Sequence, residues 1–137
     1  MSEERFQEKY MEYQGLVQQF QQLKENSQTL EKHILELNKL KENLDSLSKF
    51  NTGEEALMSL GSGIFLKGEF KDNNKVLMSV GSGICVEKNV EDAIKTVDRQ
   101  MVEVVGFNEQ IKMEVQKTVD NIQELQLELQ NLQNTSN

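Results

Sequence analysis

The 137-residue chain has no proline, no tryptophan, one cysteine and one histidine. Without proline nothing forces a break in a long helix, where an interior proline costs roughly 3 kcal/mol. A lone Cys85 excludes an intramolecular disulfide and fits a reducing, cytoplasmic setting. With His33 the sole histidine, no ligand cluster has metal spacing. The spacing puts His33 beside Ile34 but on a solvated face, and Cys85 reads as a small buried apolar residue rather than a nucleophile. No apolar run approaches the roughly 20 residues that span a bilayer. The start, Met1-Ser2-Glu3-Glu4, is acidic and lacks the apolar core of a signal peptide. Lysine and arginine are scattered in a chain of formal charge −8, so no basic stripe exists for nucleic acid. Gly-Ser-Gly occurs twice, but no Gly-Lys-Ser/Thr follows it, so it is not a phosphate loop. These absences point away from an enzyme and imply no cofactor and no metal.

What is present is helix. At 36% hydrophobic and 28% charged, the composition is poor for a compact globule and good for long helices. The length allows one domain, 1–137. An N-terminal arm is expected over 3–50, with Glu3 and Glu4 favourable at a helix N-terminus. Leu16, Leu23, Leu30, Leu37 and Leu44 recur every seven residues. Phe6, Tyr13, Phe20 and Ile34 take the interleaved position, with Ser27 where that series turns polar. This is the 3-4 seam of a coiled coil. Leu40 and Leu47 suggest that the seam shifts phase near Leu37. Asn51-Thr52-Gly53 ends the arm.

A second arm is expected over 89–133, with Asn89 as N-cap and Glu91 and Asp92 in the first turn. Its seam runs Val90, Ile94, Val97, Met101, Val104, Asn108, Ile111, Val115, Thr118, Ile122, Leu125, Leu129, Leu132. Eleven of these thirteen positions are apolar, at unbroken spacing. Two arms of about 45 residues, each roughly 65–70 Å long, must pair antiparallel if the chain turns back between them. Leu44 then meets Ile94 or Val97, and Phe6 meets Leu129 or Leu132. Asn108 falls at the level of Ser27 and Glu31. It is either a polar layer that fixes register or a residue tolerated beside solvent. The tail Asn134-Thr135-Ser136-Asn137 is polar and expected to fray.

The middle, 55–88, has a different character. Leu57-Met58-Ser59-Leu60-Gly61-Ser62-Gly63-Ile64 returns twenty residues later as Leu77-Met78-Ser79-Val80-Gly81-Ser82-Gly83-Ile84. Four short strands are expected, near 56–60, 64–70, 75–80 and 84–88. Asp72-Asn73-Asn74 tolerates positive φ and suggests a hairpin between the second and third strands. The glycines allow a bulge or bend where each outer strand meets an inner one. Ile64, Leu66 and Phe70 share one face, as do Val76, Met78 and Val80, while Leu57, Leu77 and Phe65 make the other face apolar too. So small a sheet cannot cover that area itself. Leu57, Leu60, Ile64, Leu66, Phe70, Val76, Met78, Val80, Ile84 and Val86 are therefore candidates for assembly with other chains. The alternative is a sheet folded back on its own helices.

Apolar residues also lie off the seam: Tyr10, Met11, Val17, Val102, Val105, Phe107, Met113 and Leu127. Near the free ends of the arms, Phe6, Tyr10, Met11, Tyr13, Leu125, Leu127, Leu129 and Leu132 gather into a candidate surface for apolar, unfolded chains. Ordinary end fraying is the competing explanation.

This arrangement resembles a prefoldin subunit of the alpha class, of archaeal type. The resemblance covers nearly the whole chain and rests on the doubled phrase. Val80-Gly81-Ser82-Gly83-Ile84-Cys85-Val86-Glu87-Lys88, followed by Glu91-Asp92-Ala93, is similar to the family's V-G-x-G-(apolar)-x-V-E-K stretch and the helix after it. Beta-class subunits have one hairpin, so two phrases favour alpha. The Val-Pro common before the first phrase is absent. The resemblance implies a mainly α fold with small β: a long antiparallel coiled coil whose four strands join an oligomeric β-barrel. It further implies a hexamer of two alpha-class and four beta-class subunits, holding unfolded client proteins without ATP and passing them to a group II chaperonin. Neither a membrane nor a nucleic acid is an expected partner. A structural or filament-forming relative is the other possibility.

Overall fold

The computed structural model describes residues 2–72 and 74–135. Met1, Asn73 of the expected turn, and Ser136 and Asn137 of the expected tail lie outside the described residues. The order is α1 (Ser2–Leu47), β1 (Glu55–Gly61), β2 (Ile64–Glu69), β3 (Lys75–Gly81), β4 (Ile84–Asn89) and α2 (Val90–Thr135). The fold is mainly helical with small β.

Each long helix starts where its sequence provides for it. Glu3 and Glu4 occupy the first turn of α1, and Glu91 and Asp92 that of α2. There the unpaired N–H groups favour negative charge. Asn89 caps α2: its Oδ1 accepts a hydrogen bond from the Asp92 N–H at 2.8 Å. At its other end α1 tightens. Lys49 N–H donates to Ser46 O and Phe50 N–H to Leu47 O, both bonds reaching three residues back. Gly53, at φ 85°, then turns the chain toward β1.

The strands pair differently from the expectation. β1 pairs antiparallel with β2, and β3 with β4, in two separate two-stranded sheets. The hairpin turns are the two Gly-Ser-Gly segments, and the segment around Asp72 connects the hairpins instead of forming one. Ser62 and Gly63 have φ of 51° and 80°, and Ser82 and Gly83 have 55° and 73°. Two successive positive φ values are what a type I′ turn needs, and its twist matches that of the flanking strands. The expected bulge is present in both copies, where register shifts between Ser59 and Gly61 and between Ser79 and Gly81. Asp72 has a local role: its Oδ1 accepts from Asn74 N–H at 2.8 Å.

The chain divides into two compact units, residues 1–34 with 104–137, and residues 35–103. In the first, the helical segments run antiparallel. Lys9 meets Glu128, Gln126 meets Tyr13, and Ser27 meets Asn108, in opposite order along the two segments. Asn108 is only 4% exposed, and its Oδ1 accepts a hydrogen bond from Ser27 Oγ at 2.9 Å. Of the two readings of Asn108, this geometry favours the polar layer. Removing Ser27 alone leaves a buried amide oxygen without this donor, at a cost of about 1–3 kcal/mol. Ser27→Ala should therefore lower the melting temperature. Ser27→Ala with Asn108→Leu should recover most of the loss, because both polar groups have gone; additive losses in thermal melts would contradict the pairing.

In the second unit, Leu37, Leu44, Val90, Ala93 and Val97 are buried. Leu44 and Ile94 line the same crevice, as the antiparallel register requires. Lys41 Nζ lies 2.8 Å from Asp98 Oδ1. Leu40 is exposed and Lys41 half-buried, so the seam does not shift phase at Leu40. A lysine stem covers apolar surface well while its ammonium reaches an acid at the edge. Hydrogen bonding to Asp98 raises Lys41 above the ordinary lysine range, and Glu128 does the same for Lys9. Toward high pH each tie outlasts the ordinary lysine pKa and is lost as pH rises through the raised value.

Candidate functional site

Two apolar surfaces stand out, one in each unit. The first is on the hairpins. Cross-strand pairs Met58–Leu66 and Met78–Val86 put like residues on one face, with Ile64 and Ile84 two positions further along. The opposite faces carry Leu57, Lys67 and Phe65 in one hairpin, and Leu77, Glu87 and Cys85 in the other. Lys67–Glu55 and Lys75–Glu87 approach to 4.0 Å across the strands. Leu57, Leu60, Ile64, Leu66, Val80, Ile84 and Val86 are all exposed within the chain. Cys85 is exposed too, contrary to its reading as a buried residue, because a two-stranded sheet leaves both faces open.

Three of the expected assembly residues are half-buried: Phe70, Val76 and Met78. Phe70 follows β2 and stacks on Phe50, with ring centroids 4.9 Å apart. Its carbonyl accepts from Gly53 N–H at 2.7 Å, and its N–H donates to Glu54 O at 3.2 Å. Phe70 thus fastens the first hairpin to the end of α1 and is not a free surface. The second hairpin is tied to α2 in a similar way. Val90 N–H donates to Asn74 O at 2.7 Å, and Lys88 Nζ lies 3.3 Å from Thr96 Oγ1. Met58 was missed as a surface residue, although the twenty-residue repeat makes it the counterpart of Met78. It is exposed, and its methyl group lies over Gly68.

The second surface lies where α1 begins and α2 ends. Phe6, Tyr10 and Tyr13 form a stacked ladder, with successive centroids 6.2 and 6.3 Å apart. Tyr10, Met11 and Leu127 are exposed; Phe6, Tyr13, Leu129 and Leu132 are half-buried. Leu125 is 5% exposed. It belongs to the packed seam and offers no surface, which corrects its place among the candidates. Two polar ties brace this end: Lys9 Nζ to Glu128 Oε2 at 3.0 Å, and Gln126 Nε2 donating to Tyr13 Oη at 3.3 Å. Shallow grooves flank them, one lined by Leu127, Leu129 and three glutamines, another by Arg5, Lys9, Glu128, Asn131 and Leu132.

Comparison with known proteins matches residues 6–135 to the family model described as "Prefoldin subunit". The chain belongs to the prefoldin family. Prefoldin subunit alpha of Archaeoglobus fulgidus is 32% identical over 125 residues, 86% of this chain and 91% of that one. Prefoldin subunit alpha of Methanococcus vannielii is 31% identical over 127 residues, covering 93% and 85%. Among solved structures, the filamentous PFD of Methanocaldococcus jannaschii superposes with a TM-score of 0.74 at 22% identity, covering 85% of this chain and 96% of that one. Two long helices joined by two antiparallel strand pairs are thus a prefoldin architecture. The Archaeoglobus and Methanococcus proteins are alpha subunits, in agreement with the doubled phrase. Prefoldins are known as non-enzymatic chaperones that work as multi-subunit complexes. Among the described residues, no cluster of histidine, cysteine and carboxylate side chains is arranged to hold a metal ion, and no helix is long and apolar enough to cross a membrane. His33 lies exposed on α1.

Proposed function

We propose that this chain is a subunit of an ATP-independent holdase. Its hairpins join those of other chains, beta-class prefoldin subunits among them, in a shared β-barrel. The helix tips hold unfolded clients in the cytoplasm until a group II chaperonin takes them. The observation that carries this reading is the pair of exposed apolar surfaces, one per compact unit. The hairpins offer unpaired strand edges, which suit assembly. The tip offers exposed aromatic and Met side chains, which adapt to irregular apolar partners. Several weak tips in one particle gain avidity through effective concentration.

A second reading, a filament built from this chain alone, is favoured by the fold shared with the filamentous PFD. Sizing of the pure protein separates them: a long open assembly supports the filament, and a closed particle formed on adding beta-class subunits supports the hexamer.

The holdase reading is tested by replacing Tyr10, Met11 and Leu127 with Ser. All three are exposed, so helicity and particle size should stay unchanged. Suppression of aggregation of a denatured client should fall severalfold, with or without ATP. Undiminished holding by the assembled variant would place client binding elsewhere.

A further inference from the structure

The groove beside Leu127 has a chemistry that apolar capture does not require. Gln123, Gln126 and Gln130 line it together with Leu127 and Leu129. The glutamines fall at i, i+3 and i+7, one stripe along a helix. Coiled-coil flanks usually carry charge. The other side of this seam does so, with Glu124 and Glu128 at helical spacing and Glu128 bridged to Lys9. The groove itself is uncharged. Each glutamine amide offers donors and acceptors together. Gln126 is oriented by its bond to Tyr13. Among the described residues, Gln123 and Gln130 make no side-chain hydrogen bond within the chain.

We propose that this groove binds an extended stretch of unfolded polypeptide through its backbone. An unfolded chain carries one N–H and one C=O per residue, whatever its side chains. The glutamines are about 4.5 and 6 Å apart along the helix axis. In an extended chain, groups on the same side recur every two residues, about 6.6 Å. Amides on this stripe therefore reach backbone groups on one side of the strand, while Leu127 and Leu129 cover alternate side chains. Charge narrows the occupant further. Residues 1–16 and 119–137 carry seven carboxylates against two cations, and one of those cations, Lys9, is already paired with Glu128. Segments flanked by lysine or arginine suit this field, and acidic segments are repelled.

This inference rests on the tip being the client site, and its test separates the two. Three fluorescent peptides share a ten-residue apolar centre: one flanked by Lys, one by Glu, and one Lys-flanked with N-methylated alternate amides. Anisotropy titrations use the full assembled particle. The Lys-flanked peptide should bind best, and N-methylation should weaken it about tenfold, the sum of several lost hydrogen bonds. Gln123→Met with Gln130→Met keeps side-chain length and removes the amides. It should weaken the unmethylated peptide severalfold and remove most of the effect of methylation, since only Gln126 keeps its amide. Equal binding of methylated and unmethylated peptides to the unaltered particle overturns backbone recognition and leaves the tip as holder. A particle that neither binds the peptides nor holds a denatured client overturns both.

Discussion

Val97→Asp should unfold the second unit or come close to doing so. Val97 has 0% exposure and is the largest side chain with full burial among the described residues. A carboxylate there has no water, and the other buried side chains of this unit, Leu37, Leu44, Val90 and Ala93, are apolar. Burying an unpaired charge is among the few single changes that cost more than about 4 kcal/mol. Native domains have only about 5–15 kcal/mol to lose. Val102→Asp is the control: same helix, same substitution, but at a position 73% exposed, where the effect should stay within about 0.5 kcal/mol. Thermal unfolding followed by helical circular dichroism checks both. Similar melting curves for the two variants would mean that α2 does not pack through Val97.

Ile64→Lys with Ile84→Lys should give the opposite pattern, an intact chain that no longer assembles. The isoleucines are 61% and 59% exposed within the chain, so a lysine at either site meets no packed neighbour. Both follow the I′ turns, next to the bulges, on the faces shared with Leu66 and Val86. If those faces are covered by other chains, each subunit would bury two unpaired ammonium groups, at several kcal/mol apiece. Sizing with light scattering should then report monomers, while helical circular dichroism stays that of the unaltered chain. A particle of unchanged size would show that assembly uses some other surface.

The parts of the fold legible from the sequence were those where one signal acted alone. All thirteen expected seam positions of α2 are buried or half-buried, because a 3-4 rhythm sustained over so many turns has no competing interpretation. Asn89 was legible as a cap for the same reason. Strand pairing was not, because two segments competed as turns. Asp72-Asn73-Asn74 has the residues usually favoured at positive φ, and Ser62 and Ser82 do not. What decided it was the whole turn, a serine held at positive φ between glycines and preceded by a bulge, and no single residue preference encodes that. Lys41 in place of Leu40 was missed because hydropathy counts a lysine by its charge and ignores its stem. At the tip, the aromatic ladder could be read from spacing. Leu125 is buried as a seam position should be; counting it also as tip surface assumed that the helices part before their ends, and how tightly they close there is what periodicity does not fix.

The two hairpins share the same register residue for residue, from Lys75–Asn89 against Glu55–Glu69 to Gly81–Ile84 against Gly61–Ile64. In the language of step-growth polymerisation, a chain with two equivalent joining groups is bifunctional, and a chain with one is a stopper. Supplied alone, bifunctional units extend until the ends meet or the material runs out. Mixed with stoppers, they give short capped products whose size follows the mixing ratio. On the assembly proposed here, the relative abundance of two-hairpin and one-hairpin subunits would decide between filament and closed particle, with no change in either sequence.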